Sequence, residues 1–324
     1  MSNLETLPEE LTCHSPAPTA LVEVLEPRAV PLGGIRAMPV RRTLPQRARS
    51  LIGAWCFADH YGPDDVSVTG GMDVAPHPHT GLQTVSWLFA GSVEHRDSLG
   101  THAYIRPGEL NLMTGGHGIA HSEVSTPDTT ILHGVQLWVA LPDAHRDAPR
   151  NFQHYAPVPV ELPSATARVF LGTLAGHTSP VHTFTPLLGA ELTIAPGGTL
   201  NLDVDPAFEH GVLIDTGTIT LFDTTLTAAH LGYLAPGTRT LRLTNATATP
   251  TRLILLGGTP LHEDIVMWWN FVARTHEEIV HFREDWQSES DRFGRVLGYP
   301  GQRLPAPALP GGRLKPRINP RAET

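Results

Sequence analysis

From Ala20 onward the chain is cut into short apolar runs, each bounded by Gly, Pro or Asp: LVEVLE at 21–26, GAWCFADHY at 53–61, LQTVSWLFAG at 82–91, HAYIRPG at 102–108, LNLMTGG at 110–116 and ILHGVQLWVALP at 131–142. Runs this short favour strands joined by tight turns over long amphipathic helices. Gly and Pro contribute 30 residues each while charged residues make up only 17%, a balance that suits buried sheets. The expected fold class is all-β.

A second series of such runs, ARVFLGTL, AELTIAPGG, EHGVLIDTGTITLF, HLGYLAPG, TRTLRLTNA and TRLILLGGTP, follows a passage rich in Pro and Ala. A chain of 324 residues is long enough for two cores. We therefore expect a polar N-terminal tail at 1–19, a first β-domain at 20–142, a linker at 143–167, a second β-domain at 168–260, a helical segment at 261–296 and a flexible Pro/Gly-rich tail at 297–324. YIRPGEL at 104–110 is echoed by YLAPGTR at 233–239, a hint that one unit was duplicated. In the helical segment Thr275 and Glu278 have the spacing of a capping box, and Ile279, Phe282 and Trp286 follow on one face.

A formal charge of −9 argues against nucleic acid as a direct partner, whose phosphates would be repelled. The basic residues Arg303, Arg313, Lys315, Arg317 and Arg321 lie among prolines and glycines and read as a solvated tail. Cys13 and Cys56 are the only cysteines, too few for a disulfide framework or a CxxC site. The acidic N-terminus lacks an apolar leader core, and no apolar run is long enough to span a membrane. A soluble, cytoplasmic monomer is expected.

PHPHTG, at 76–81, sets His77 and His79 two apart, but 18 histidines among 324 residues produce about one such pair by chance. A second pair adds weight: His121 and Glu123 stand two apart in GIAHSE. Alternate residues of a strand face one side, so each pair projects together. If the two strands are neighbours, three imidazoles and one carboxylate converge, a donor set for one divalent transition ion: Fe(II), Ni(II), Cu(II), Co(II), Mn(II) or Zn(II). Taken singly, any one of these histidines is more commonly a surface or satisfied core residue. His95 and His117 are near enough in sequence to support the ligands from behind.

GGMDVAPHPHTGLQTVSWLFAGSVEHRDSLG, then IRPGELNLMTGGHGIAHSE and LHGVQLWVALP, resemble the N-terminal domain of the pirin family, in the cupin superfamily, and PLHEDIVMWWNFVARTHEEI is similar to that family's C-terminal helical segment. The resemblance implies a bicupin: two jelly-roll β-barrels with a C-terminal helical segment, the metal held by the first barrel alone. It places the metal ligands at His77, His79, His121 and Glu123. In the second series EHGVLIDTG stands where the histidine pair would be, and His210 has no histidine two positions away. One departure is Gln83, where the general cupin pattern has glutamate; sharing the parity of His77 and His79, it is expected to point inward as a neutral amide.

The resemblance also implies an activity, the quercetinase-type dioxygenation of a flavonol or similar small aromatic enol by O₂, with Fe(II) the preferred ion. Glu123 is then both ligand and base, and Trp87 and Phe89 are expected to line an apolar pocket for the flat substrate. The alternative that it implies is a redox-sensing regulator that binds a protein partner without turnover.

Overall fold

Strands dominate the computed structural model, which describes residues 2–3, 21–33, 38–317 and 319; apart from Ser2–Asn3, the expected tail at 1–19 lies outside the described residues. The chain forms two barrels, each a large sheet facing a small one. In the first, the large sheet runs Ser2–Asn3, Arg28–Gly33, Pro39–Leu44, Trp55–Asp65, Ile131–Ala140, Leu82–Ala90, Leu110–Thr114 and Asn151–Tyr155. The small sheet opposite runs Asp73–His79, Ile119–Ser125, Val93–Asp97 and His102–Ile105. The second barrel repeats the plan, with a small sheet of Thr199–Asp203, Thr240–Thr244, Thr218–Leu221 and Thr224–Thr227.

Strand pairing assigns the two faces of the first large sheet. Gln136 pairs with Ser86, and Trp138 with Phe57 and Thr84, and this parity turns toward the small sheet, where the Trp138 ring lies 5.2 Å from that of His79. The intervening residues Val85, Trp87, Leu110, Leu112, Val135 and Leu137 turn the other way and share one buried cluster with Phe170, Leu187, Leu213, Leu231, Ile254 and Leu256 of the second barrel. The first large sheet is thus buried on both faces, its outer face apolar and its inner face carrying Thr84, Ser86 and Gln136 beside Trp138. Inside the second barrel the core is aliphatic, with Leu192, Val212, Ile219, Leu241 and Leu253 all buried.

Three boundaries differ from expectation. Glu23–Leu25 pairs with Leu231–Leu234 and so joins the second barrel's sheet. The 143–167 passage is not a bare linker: Asn151–Tyr155 pairs with Leu110–Thr114 at the edge of the first large sheet, and Val160–Leu162 pairs with Ala165–Leu171 in the second. Between residues 297 and 317 the chain folds back on the body, because its widely spaced apolar residues find a cluster to complete. Leu304, Ala306, Leu309 and Leu314 pack beside Trp268, Trp286 and Phe293. Poor in internal hydrogen bonds, this strap borrows outside partners: Leu304 N donates to Pro76 O, and Ala306 N to Gln287 Oε1.

The helix His276–Gln287 begins as the spacing predicts, with Thr275 Oγ1 accepting from Glu278 N and the Glu278 carboxylate accepting from Thr275 N. Ile279 and Trp286 are its buried residues. Before it, the hairpin of Val266–Trp268 and Phe271–Ala273 bridges to the first barrel at Thr80. Among the described residues no helix is long and apolar enough to cross a membrane.

Candidate metal centre

The small sheet of the first barrel brings the histidines together. His77 lies directly across from His121, and on the other side of the same strand His121 faces Asp97 while Glu123 faces His95. Alternation then puts His77, His79, His95, Asp97, His121 and Glu123 on one face, turned into the barrel, and all six are buried. A bulge between His121 and Glu123 sets Glu123 across from Val74. Gly81, at φ +66°, closes the turn after His79, where a Cβ would stand 2.2 Å from Val272 O.

Ligand nitrogens of His77, His79 and His121 all lie within 4.8 Å of one another, and His79 Nε2 is 3.1 Å from His121 Nε2. Their outer nitrogens are engaged elsewhere. His77 Nδ1 donates to Ala75 O at 2.9 Å and His79 Nδ1 to Asn270 O at 3.1 Å. His121 Nδ1 lies 3.4 Å from His95 Nδ1, and His95 Nε2 donates to Asp97 Oδ2 at 3.2 Å. Asp97 is in turn anchored by Leu99 N and Thr101 N, both at 2.9 Å on Oδ1. A carbonyl or carboxylate only accepts, so these partners assign the tautomers: each Nδ1 of the three carries hydrogen and each Nε2 turns a lone pair inward.

Burial pushes all three imidazoles well below the ordinary histidine value, with neighbouring imidazoles adding to the effect at His121. They are neutral, as metal ligation requires. His77 Nε2 is buried without a hydrogen-bond partner. Inward lone pairs facing one another at this range repel unless a cation lies between them, and the donors suit a divalent first-row transition ion. Glu123 lies outside the group of three; its Oε1 accepts from Ser86 Oγ at 3.3 Å.

Several expected positions fall elsewhere. The turn at Thr80–Gly81 ends one strand and starts another, so parity counted from His79 does not carry to Gln83. Gln83 Nε2 donates to Thr114 Oγ1, on the large-sheet face that carries Val85 and Trp87. Trp87 and Phe89 share that face and line the barrel interface, not a pocket at the histidines: Trp87 Nε1 donates to Glu191 Oε2 at 2.8 Å, and Phe89 packs beneath Arg252. His117 sits in a surface turn with its side chain 53% exposed, near Asp147 and Arg292. His95 does stand behind a candidate ligand, whereas Asp97 was missed, although its i+2 spacing from His95 in VEHRD carried the same parity signal.

A second histidine cluster escaped the sequence altogether. His60, His133 and Asp215 lie together between the barrels, with both His60 Nε2 and His133 Nε2 2.6 Å from Asp215 Oδ1. Its hydrogen-bond polarity is the reverse of the first cluster's. Arg41 Nε donates to His60 Nδ1, so the His60 hydrogen is on Nε2, aimed at Asp215, and Arg252 Nε occupies Asp215 Oδ2 at 2.6 Å. Two guanidiniums and inward N–H groups make this an ion-paired clasp, not a cation site.

Comparison with known proteins agrees with the architecture. The pirin family profile matches residues 37–139, and the profile of the pirin C-terminal cupin domain matches 189–294. A Pseudomonas aeruginosa protein named "Putative quercetin 2,3-dioxygenase" is 42% identical over 291 residues, 90% of this chain and 91% of that protein. A pirin-like protein of Caulobacter vibrioides is 34% identical over 259 residues, 77% of this chain and 88% of its own. A crystal structure of quercetin 2,3-dioxygenase from Acinetobacter baumannii superposes with a TM-score of 0.86 at 38% identity, covering 90% of this chain and 97% of that one.

Proposed function

The chain belongs to the pirin family of bicupins, and from that premise we propose that it is a metal-dependent dioxygenase of quercetinase type. It opens the ring of a flavonol, or a similar aromatic enol, by inserting both atoms of O₂ with release of carbon monoxide. His77, His79 and His121, joined by Glu123, would hold one divalent transition ion, Fe(II) in this reading. The observation that carries the proposal is the set of three neutral imidazoles whose lone pairs converge in a buried barrel, one of them on an atom with no other partner. The substrate class rests on the names of the relatives.

The bound ion supplies Lewis acidity toward the enol oxygen and a redox-active centre for O₂. The protein's own residues do the rest. Glu123, buried with the imidazoles, would take the proton of the enol hydroxyl in this reading. Ser86 Oγ steadies Glu123 Oε1 from the opposite sheet. Asp97, through His95, fixes the ring orientation and tautomer of His121. Phe57 and Trp138, stacked with centroids 4.1 Å apart, wall the interior against water.

The test is carbon monoxide release from quercetin by protein stripped of metal, reconstituted anaerobically with Fe(II) and then given O₂, beside an identically treated His79→Ala control. The expected outcome is metal-dependent CO from the wild type alone. A protein that holds one metal per chain and yields no CO would overturn the enzyme reading and turn attention to a regulator acting through a protein partner.

A further inference from the structure

Gln136 is 1% exposed on the inner face of the first large sheet. Its Oε1 accepts from Ser86 Oγ at 2.8 Å, and that hydroxyl is also 3.3 Å from Glu123 Oε1. The other end of the carboxamide, Nε2, is buried and has no hydrogen-bond partner. A buried amide N–H left without an acceptor destabilises the fold, so such an atom is a feature to be explained. It belongs to the same interior as His77 Nε2, likewise without a partner, and it is tied to Glu123 through a single hydroxyl. With the shorter Ser86 contact made to Oε1, the end left over is the N–H groups, and only an acceptor can satisfy them.

We propose that Gln136 is a specificity-determining residue of this site, donating its free amide N–H to a ketone or enolate oxygen of the substrate. The inference rests on the dioxygenase reading and narrows its substrate class to aromatic α-hydroxy-ketones, in which one oxygen goes to the ion and the adjacent carbonyl oxygen to Gln136. A flavonol has this pair of oxygens. A flavan-3-ol keeps the hydroxyl and lacks the carbonyl.

Binding separates this role from turnover. Wild type, Gln136→Met and Ser86→Ala, each loaded with redox-inert Zn(II) and matched for metal content, are titrated with a flavonol and with the corresponding flavan-3-ol, following tryptophan fluorescence. Gln136→Met keeps the side chain's length and removes its hydrogen bonds. It should weaken flavonol binding about 5- to 10-fold, the loss of one neutral hydrogen bond, and leave the flavan-3-ol nearly unchanged. Ser86→Ala frees the amide to turn and also takes a hydroxyl from Glu123 Oε1, an effect on the metal site that both ligands share; at matched metal content it should give a smaller loss with the same dependence on the carbonyl, and it covers the case in which Gln136→Met does not fold. Equal weakening of both ligands, or of neither, would overturn the assignment and leave Gln136 as a packing residue or the partner of a buried water. If the wild type binds neither ligand and releases no CO, the dioxygenase reading falls and this inference with it. If it releases CO and the variants bind like wild type, only the role of Gln136 falls.

Discussion

At the scale of single residues, what distinguishes the two histidine clusters is the direction of their hydrogen bonds. His77 and His79 each give their outer N–H to a backbone carbonyl, and His121 gives its own to His95, which leans on a buried carboxylate. Burial opposes the charge on Asp97, yet the bonds from His95 and from Thr101 hold its carboxyl below the ordinary value. An ionised residue at the end of this chain holds His95, and through it the His121 ring, in one orientation and tautomer. Replacing Asp97 by Asn should therefore weaken metal binding about 10- to 100-fold, read by competition against a chromophoric chelator. His95→Gln should follow it; affinities equal to wild type in both variants would remove the chain from the site's function.

At the scale of elements, period-2 alternation explains both the success and the failure of sequence parity. HPH and HSE lie each within one strand, so their inward projection was legible, and the capping box was legible because its reciprocal bonds join residues three apart. Gln83, Trp87 and Phe89 were misplaced because Gly81 resets the alternation between two strands, and a turn's effect on parity depends on how many residues it consumes. The tail was misread for another reason: a Pro-rich segment has no periodicity of its own, and its order comes from the helix surface that receives it. The helix itself offers a simple check. Thr275→Ala removes the cap and should lower stability by about 1 kcal/mol, measured by denaturant unfolding; a change below a few tenths would show that packing of Ile279 and Trp286 alone sustains the first turn.

At the scale of the whole molecule, the two barrels share one core, and the clasp at its edge ties them by imidazole hydrogen bonds to a buried carboxylate. His60 and His133 from the first barrel and Asp215 and Arg252 from the second meet there, with Arg41 behind His60. Burial, with Arg41 adding to it, lowers the His60 value against the opposing pull of Asp215, while the Asp215 carboxyl, despite burial, is held far below its ordinary range by the two imidazoles and Arg252. In the unfolded chain His60 takes up a proton near pH 6.5. As pH falls from there toward the depressed native value, the unfolded state binds more protons and the folded state loses stability; Asp215 adds a further loss only once pH falls below the ordinary carboxylate range. His60→Gln can still donate to Asp215 and accept from Arg41 without titrating. In metal-free protein, where metal release plays no part, its thermal midpoint should fall less between pH 7 and pH 5 than that of wild type. Parallel pH profiles would dismiss His60 as the acid-sensitive member of the clasp.

Local order alone determined a good deal of this protein. Strand length and punctuation set the all-β class, alternation within single strands aimed two pairs of ligands, and spacing within one turn capped the helix. Each of these depends on residues a few positions apart, whose relation is imposed by backbone geometry. Only the tertiary structure decided that the strands bearing His77 and His121 are neighbours, that Asn270 of a distant hairpin orients His79, that Gln136 faces the same interior as Glu123, and that His60, His133 and Asp215 meet. Those contacts join residues separated by tens to hundreds of positions, and they exist because strand register and the docking of two sheets, settled by burial of the whole core, bring them within reach.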